Sequence, residues 1–180
     1  ELIEKINLPC FIKPNVGGSS FGVSKVNSKE EIQTAIKKAF EEGEEVMIEK
    51  LITGLELTCG IYKTKDKEVI FPITEIIPKN DFFDFDAKYN GQVTEITPAR
   101  ISKEISDRVQ KITSMIYDIV DAKGIIRIDY ILSEENVIYL LEVNTTPGMT
   151  PTSFIPQQVK AASLDIKEVM DDIITNELKH

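Results

Sequence analysis

Residues 137–149 read VIYLLEVNTTPGM, a stretch that begins as a buried strand and then admits polar residues. Glu142 and Asn144 are two positions apart, so in a strand both side chains lie on the same face. The Thr-Thr-Pro-Gly run that follows ends the strand. Because a buried carboxylate is costly unless something pairs with it, Glu142 predicts a partner on a neighbouring strand.

The preceding strand, IIRIDYIL, breaks its apolar pattern in the same way, at Arg127 and Asp129. The intervening SEEN turn predicts a tight hairpin. If Ser133 lies opposite Asn136, Arg127 lies opposite Glu142 and Asp129 lies diagonally from it. This register places Arg127, Asp129, Glu142 and Asn144 on one face of the hairpin, which we call the polar face.

The donor atoms of the polar face suggest a metal site. Two carboxylates and an amide oxygen, from Asp129, Glu142 and Asn144, are hard ligands that suit Mg²⁺ or Mn²⁺ rather than Zn²⁺. A salt bridge between Arg127 and Glu142 on a solvated sheet surface explains the same residues. The two strands alone leave both interpretations open.

A glycine-rich loop, NVGGSSFG, follows the apolar strand that ends at Lys13. Glycines permit close backbone approach, and successive backbone N–H groups in such a loop can cradle phosphate oxygens. The loop is not a Walker A motif, since no Gly-Lys-Ser/Thr follows. In isolation the loop is better explained as a plain glycine hairpin, but together with a metal-type face it indicates a nucleoside triphosphate. The candidate residues are Lys13, Gly17, Gly18, Ser19 and Ser20.

Two further segments fit a nucleotide. In IEKLITGLE, Glu49 and Glu56 flank a turn and could meet adenine and ribose, although two surface glutamates would look the same. Residues 80–92 form a long loop that carries Lys88 and Tyr89. Loops of this length in compact domains are often lids, and the alternative is packing against a neighbouring domain.

Composition narrows the class of protein. The 180 residues are 42% hydrophobic and 28% charged, as in soluble globular proteins, and no apolar run reaches the length of a membrane span. A net charge of −9 argues against nucleic acid, and the single histidine, His180, argues against histidine catalysis. Cys10 and Cys59 lie in apolar runs, as expected for buried, reduced thiols. The absent initiator Met suggests a piece of a longer protein.

The order of elements favours an α+β fold with a largely antiparallel sheet packed by helices, because strands and helices do not alternate regularly. Ser28 and Glu31 form a capping-box pattern before a first helix. Residues 102–123 predict a long amphipathic helix, and the C-terminal stretch predicts another. The apolar positions expected inward on the long helix are Ile105, Val109, Ile112, Ile116, Ile119 and Val120.

Five motifs in order resemble the D-alanine–D-alanine ligases of the ATP-grasp superfamily, from about residue 8 to residue 162. They are IKPNVGGSSFGVSKV, EKLITGLELT, FFDFDAKY, GIIRIDYIL and LLEVNTTPGMTPTS. The resemblance implies that residues 1–55 are the remainder of the central ATP-grasp subdomain and that residues 56–180 are the C-terminal ATP-grasp domain. It also implies an upstream N-terminal domain, with an ATP-binding lysine and a glutamate for the first D-alanine.

The resemblance assigns a role to each candidate residue. It implies that Lys13 and the Gly17–Ser20 loop contact the ATP phosphates, and that Arg127 stabilises the transferred phosphoryl group. Asp129, Glu142 and Asn144 would bind two Mg²⁺ ions, with Mn²⁺ as a substitute. The other implied contacts are Glu49, Lys50, Ile52 and Glu56 with adenine and ribose, Lys88 and Tyr89 on the lid, Tyr89 with Ser19 in a hydrogen-bonded catalytic group, and Gly148 and Ser153 with the second D-alanine.

The implied activity is a cytoplasmic, ATP-dependent joining of two D-alanines through an acylphosphate, for peptidoglycan precursor synthesis, by an enzyme that is a homodimer at full length. A D-alanine–D-lactate ligase or another ATP-grasp carboxylate–amine ligase is the alternative, and the intact AKY at residues 87–89 favours the dipeptide. A non-enzymatic nucleotide-binding module would not need Arg127 beside Asp129. The chain alone should fold but not ligate D-alanine.

Overall fold

A computed structural model of the chain describes residues 6–16, 20–78 and 93–178. The chain forms two compact units, one of residues 1–52 with 78–93 and one of residues 53–77 with 94–180. The described residues form nine strands, paired antiparallel where their register is defined, and four α-helices. This arrangement confirms the predicted α+β class.

The first unit is a three-stranded sheet covered by a helix. Strand β1 (Cys10–Pro14) lies between β2 (Ser24–Val26) and β3 (Val46–Lys50), and helix α1 is Ile32–Phe40. The core consists of Cys10, Ile12, Val26, Ala35 and Ala39. Strands β1 and β2 thus pair as a hairpin on either side of the glycine-rich segment, whose residues 17–19 lie outside the described residues.

The start of α1 differs from the predicted capping box. A short 3-10 helix (Lys29–Glu31) precedes it, and the Ser28 side chain makes no capping hydrogen bond. The Glu31 carboxylate instead accepts a hydrogen bond of 2.8 Å from the backbone N–H of Asn27. The Glu31 carboxylate therefore accepts from the backbone N–H of Asn27, one residue before the Ser28 N–H that it would bind in a capping box.

The second unit is a six-stranded sheet with helices on both faces. Its strand order is β7-β6-β4-β8-β9, and β5 also pairs with β4. Helix α2 covers one face, and α3 and α4 pack near the end of β4 on the other. The elements are β4 (Leu55–Lys63), β5 (Glu68–Ile70), β6 (Thr74–Pro78), β7 (Val93–Ile96), α2 (Lys103–Ile119), β8 (Ile125–Leu132), β9 (Ile138–Asn144), α3 (Phe154–Ala161) and α4 (Ile166–Leu178).

The buried stripe of α2 differs from the prediction at its C-terminal end, where Ile119 is 77% and Val120 45% exposed. The fully packed positions follow i, i+4 spacing and include two polar residues; they are Ile105, Val109, Thr113 and Tyr117. Each step of four residues advances about 40° around a helix. The stripe therefore turns away from the side on which Ile119 lies, and the helix ends before Val120.

Both cysteines are buried and unpaired, as predicted. Burial raises the pKa of the Cys59 thiol to about 12, so the thiol is neutral. In the part of the chain that the structure describes, no helix has the length and apolar character needed to cross a membrane.

One ion pair on β6 is partly removed from water. The Glu75 carboxylate is 4% exposed and accepts hydrogen bonds from Arg100 Nε at 3.0 Å, Nη2 at 2.7 Å and the backbone N–H at 3.2 Å. The Arg100 side-chain hydrogen bonds hold the pKa of Glu75 below its usual value. Stability from this pair is therefore present above the unfolded pKa of Glu, about 4.3, and is lost as pH falls through the lowered folded value.

We expect Arg100→Leu to lower the free energy of unfolding by roughly 1–3 kcal/mol near pH 7, because it strands a buried carboxylate. The difference from wild type should narrow as the pH falls below the unfolded pKa of Glu, about 4.3, because protonation removes the penalty for the carboxylate left without Arg100. Urea denaturation at pH 7 and pH 3.5 measures both values. Lys103→Leu, which removes an exposed i, i+4 pair with Asp107, is the control and should cost less than about 0.5 kcal/mol. A loss for Arg100→Leu that is the same at both pH values would contradict the assignment.

Candidate functional site

The β8–β9 register differs from the predicted one. Arg127 lies opposite Asn144, and Asp129 lies opposite Glu142. Two irregularities account for the difference. The loop is one residue longer than predicted, since Ser133 N–H donates to the carbonyl of Val137 at 2.9 Å, and the pairing is interrupted between Asp129 and Tyr130.

Each irregularity shifts the register by one residue. In the loop, Asn136 adopts a φ of 59°, a left-handed conformation that asparagine tolerates. In the strand, Leu141 is the extra residue of a β-bulge, because Tyr130 pairs with Leu140 and Asp129 with Glu142. Two shifts of one residue restore the original alternation, so the prediction that all four polar residues share one face is confirmed.

Asp129 is the centre of the polar face. Its Oδ1 accepts from Arg127 Nε at 2.9 Å and from the Thr58 hydroxyl at 2.6 Å. Its Oδ2 accepts from Arg127 Nη2 at 2.8 Å and from Asn144 Nδ2 at 3.0 Å. Burial acts to raise the pKa of Asp129, but the hydrogen bonds and charge of Arg127 outweigh it and hold the pKa below its usual value. The carboxylate is therefore kept ionised.

Arg127 is fixed on two sides. Its guanidinium forms the fork-like pair with Asp129, and its Cζ lies 5.3 Å from the ring centre of Phe154. A guanidinium over an aromatic ring is a favourable cation–π arrangement. The distance from Arg127 to Glu142 is 3.9 Å, so the salt bridge considered from the sequence is the longer and weaker of the two.

The donor set of the polar face fits a hard divalent cation. Glu142 is half exposed and its carboxylate is held by Asn144 Nδ2 at 3.3 Å. Asn144 currently presents its amide nitrogen to both carboxylates, so coordination through its oxygen requires the amide to turn over. Within the described ranges, no group of three or more His, Cys, Asp or Glu side chains has metal-binding geometry. Any site here thus depends on Asn144 as well as on the two carboxylates.

In the first unit, Lys13 and Glu49 are close together. Lys13 Nζ lies 2.7 Å from Glu49 Oε2, across the β1–β3 pair, and both side chains are partly exposed. Ser20 is also described, with a φ of 62° at the end of the glycine-rich loop. The ion pair with Glu49 therefore holds the Lys13 ammonium group on the β1–β3 sheet.

The remaining nucleotide candidates lie along the segment that leaves the first unit and enters the second. Lys50 ends β3 and is exposed, Ile52 follows in a loop, and Glu56 lies on β4 opposite Ile76 and Ile131. Five predicted site residues lie outside the described residues: Gly17, Gly18, Ser19, Lys88 and Tyr89.

Gly148 and Ser153, predicted near the second substrate, are neighbours. A Cβ on Gly148 would lie 2.8 Å from Ser153 Oγ. Ser153 Oγ in turn lies 2.8 Å from Thr150 Oγ1, and Ser153 occupies the N-cap position of α3. The glycine therefore permits the close turn that brings a serine hydroxyl to the start of the helix.

Sequence reasoning missed two residues that contact the polar face, Thr58 and Phe154. Thr58 lies two positions after Glu56 on β4, and the alternation used for Arg127 and Asp129 could have found it. Phe154 gave no signal, since an aromatic residue beside Ser153 reads as ordinary helix packing.

Known proteins identify the family. A family model described as D-ala D-ala ligase C-terminus matches residues 1–175. The chain belongs to this family. It is 69% identical over 176 residues to a D-alanine–D-alanine ligase of Bacteroides fragilis, and 62% identical over 180 residues to one of Parabacteroides distasonis. These alignments cover 98% and 100% of the chain and 54% of each relative, so the chain spans about half the length of the curated relatives it matches.

Solved structures agree with this assignment. The VanG D-Ala:D-Ser ligase from Enterococcus faecalis matches with a TM-score of 0.84 at 35% identity, over 97% of this chain and 51% of that one. A D-alanine–D-alanine ligase from Bacillus anthracis complexed with ATP matches with a TM-score of 0.80 at 31% identity, over 98% and 55%. The fold is therefore the ATP-grasp fold of these ligases, as predicted.

We expect Gly148→Ala to destabilise the chain by about 1 kcal/mol, because the new methyl group must displace the Ser153 hydroxyl from Thr150. The loss should be smaller in a Ser153→Ala background, where that hydroxyl is absent. Thermal unfolding of the two single variants and the double variant gives the coupling. Additive losses would show that the two residues do not constrain each other.

Proposed function

We propose that the chain is the part of a D-alanine–D-alanine ligase that carries the phosphoryl-transfer site. The proposal rests on the polar face, in which a fixed arginine lies beside two carboxylates and an amide on paired strands. Family membership supplies the reaction that suits this arrangement. In this proposal residues 1–55 are the remainder of the central ATP-grasp subdomain, and residues 56–180 are the C-terminal domain.

The reaction proceeds in two displacements. A carboxylate oxygen of the first D-alanine attacks the γ-phosphorus of ATP, the bond to ADP breaks, and an acylphosphate forms. The amine of the second D-alanine then attacks the acyl carbon, inorganic phosphate leaves, and the amine nitrogen loses a proton. Negative charge accumulates on phosphate oxygens in both steps, so positioned cations contribute most of the stabilisation.

Arg127 serves this chemistry because it is held rigidly. The Asp129 fork and the Phe154 ring fix its orientation, so little reorganisation is needed when charge develops. Lys13 contacts the ATP phosphates together with the Gly17–Ser20 loop. Glu49, Lys50 and Ile52 of the first unit and Glu56 of β4 hold adenine and ribose. Lys88 and Tyr89 act from the lid, Ser19 and Tyr89 form a hydrogen-bonded pair, and Gly148 and Ser153 receive the second D-alanine.

Asp129, Glu142 and Asn144 would hold two Mg²⁺ ions, with Mn²⁺ as a substitute. The ions would neutralise phosphate charge during transfer. The ionised state of Asp129, kept by Arg127, suits it as a ligand before any ion arrives. Because ATP and D-alanine are the substrates, we place the reaction in the cytoplasm, and we propose a homodimer for the full-length protein.

The full-length gene product tests the proposal in a phosphate-release assay with ATP and Mg²⁺. D-Alanine alone should give phosphate and the dipeptide, whereas a D-alanine–D-lactate ligase would require added D-lactate for its product. A nucleotide-binding module would bind ATP without turnover. The 180-residue chain alone should fold but release no phosphate in response to D-alanine, because both amino acids must be held in line with the γ-phosphate.

We expect Glu142→Gln to lower the ligase rate of the full-length protein by at least about tenfold, since it removes the charge of a metal ligand and keeps its shape. Raising the Mg²⁺ concentration should recover part of the rate. Glu134→Gln, on the exposed β8–β9 loop, is the matched control and should behave as wild type. A near-normal rate for Glu142→Gln would exclude Glu142 as a ligand.

Lys13→Met keeps the side-chain stem and removes the point charge beside Glu49. We expect the Kd for ATP to rise while the thermal midpoint changes little, because the Lys13–Glu49 pair is partly exposed and contributes at most about 1 kcal/mol to folding. Calorimetric titration with ATP measures the first quantity and thermal unfolding the second. The exposed Lys37→Met is the charge-matched control. A collapse of the midpoint without loss of ATP affinity would make Lys13 a structural residue.

A further inference from the structure

The buried side chain of Gln158 bridges a gap in the strand pairing of β4. On one edge of β4, pairing with β6 ends at Thr58 and pairing with β5 begins at Ile61. In the gap, Gln158 of α3 accepts from the backbone N–H of Gly60 at 2.9 Å and donates to the carbonyl of Thr58 at 3.0 Å. Its carboxamide therefore takes the place that a neighbouring strand's peptide group would have.

The fit around Gln158 is close and fully hydrogen-bonded. Gln158 is 0% exposed, and its Nε2 also lies 3.1 Å from Thr74 Oγ1, which lies 2.6 Å from Thr97 Oγ1. A Cβ on Gly60 would lie 2.5 Å from Ile155 Cδ1 and 2.8 Å from Gln158 Oε1. Only a glycine at this position lets α3 approach β4 closely enough for the carboxamide to bridge the gap.

This bridge connects two parts of the site. On the strand side, the residue whose carbonyl accepts from Gln158 is Thr58, and its hydroxyl donates to Asp129 at 2.6 Å. On the helix side, α3 is only eight residues long, and it begins directly after Ser153. Phe154, one turn before Gln158 on the helix, lies against Arg127.

We infer that Gln158 is a positioning residue for the second amino-acid substrate. By fixing α3 on β4, it sets the distance from Ser153, where that substrate's carboxylate is received, to Arg127 and Asp129, where phosphoryl charge is stabilised. The inference rests on the proposed function, which assigns these two roles. Gln158 touches neither substrate, so it acts through the placement of α3 and of Thr58.

The first test is Gln158→Met in the full-length protein, which keeps the length of the side chain and removes its hydrogen bonds. We expect kcat/KM for the second D-alanine to fall by up to roughly 100-fold, mainly through a higher KM, because a misplacement of about an ångström can cost that much. The KM of ATP and that of the first D-alanine should stay within about twofold. Initial velocities over a wide range of D-alanine concentration separate the two amino-acid sites.

The second test is Gln158→Glu, which gives a pH signature. A protonated carboxyl can accept from Gly60 N–H and donate to the Thr58 carbonyl, as the carboxamide does, whereas a carboxylate can only accept. The KM of the second D-alanine, relative to wild type at each pH, should therefore fall towards one as the pH is lowered. Three titratable groups adjoin the residues around Gln158: Glu95 is bonded to Gln157, Asp129 is bonded to Thr58, and the neutral Cys59 lies between Thr58 and Gly60 on β4. All three are present in both proteins, so the comparison with wild type at each pH cancels their titration. Gln158→Met should show no such recovery.

Val109→Ala is the stability control. Val109 lies on α2 and is fully buried against the face of the sheet that α2 covers, in a core cluster that contains no residue of α3. This variant therefore lowers stability without altering the contacts of α3. If it raises the KM of the second D-alanine as Gln158→Met does, or if Gln158→Met lowers kcat and raises all three KM values alike, the inference is wrong. Absence of D-alanine-dependent turnover in the wild-type full-length protein would overturn the proposed function instead, and the two failures are thus distinguishable.

Discussion

The arrangement of the polar face depends on whether the β8–β9 register is shifted by an even or an odd number of residues. Side chains alternate with a period of two, so a single-residue slip would turn Glu142 and Asn144 towards α2 and leave Arg127 and Asp129 opposite apolar residues. The three-residue loop alone would produce that slip. The bulge at Leu141 compensates for it, so that Asp129 meets Glu142 and Arg127 meets Asn144. Everything that Arg127 and Asp129 do in the proposed reaction depends on this second irregularity.

The same parity explains why the sequence could predict the shared face but not the pairing. Two polar residues at alternate positions on each of two neighbouring strands identify a face whatever the register, provided that the total shift is even. The loop length and the bulge are set by local backbone conformation, namely the left-handed Asn136 and the extra Leu141. Neither residue type demands that conformation, so the pattern of side chains did not reveal it.

Elsewhere, prediction succeeded where apolar periodicity was strong and failed where it was weak. Strands β1 and β8 and helix α2 follow from regular apolar patterns. Strand β9 forms as predicted, but the expectation that it is buried was wrong: it lies at the end of the strand order, and Leu140 is 53% and Leu141 43% exposed. The C-terminal stretch holds two helices rather than one, since α3 carries Pro156 and buries the polar Gln158. The apolar stripe on α2 was misjudged at Ile119 because Thr113 and Tyr117, both hydrogen-bonded, occupy buried positions. Polar residues that satisfy their hydrogen bonds inside the protein do not show in a pattern of hydrophobicity.

Gln158 was beyond sequence reasoning for a related reason, since its contacts with β4 depend on where strand pairing stops. The charged residues of the candidate site are likewise paired within the protein: Lys13 with Glu49, and Arg127 with Asp129. In the proposed function, a nucleotide or a divalent cation would therefore exchange one partner for another rather than fill an uncompensated site. Such exchange limits the net affinity, since the protein's own ion pairs must be loosened, but it keeps each group oriented and ionised in advance. In the proposed function, a chain with a net charge of −9 binds a polyanion, and prior pairing would also fix Lys13 and Arg127 at the positions where phosphate charge is expected.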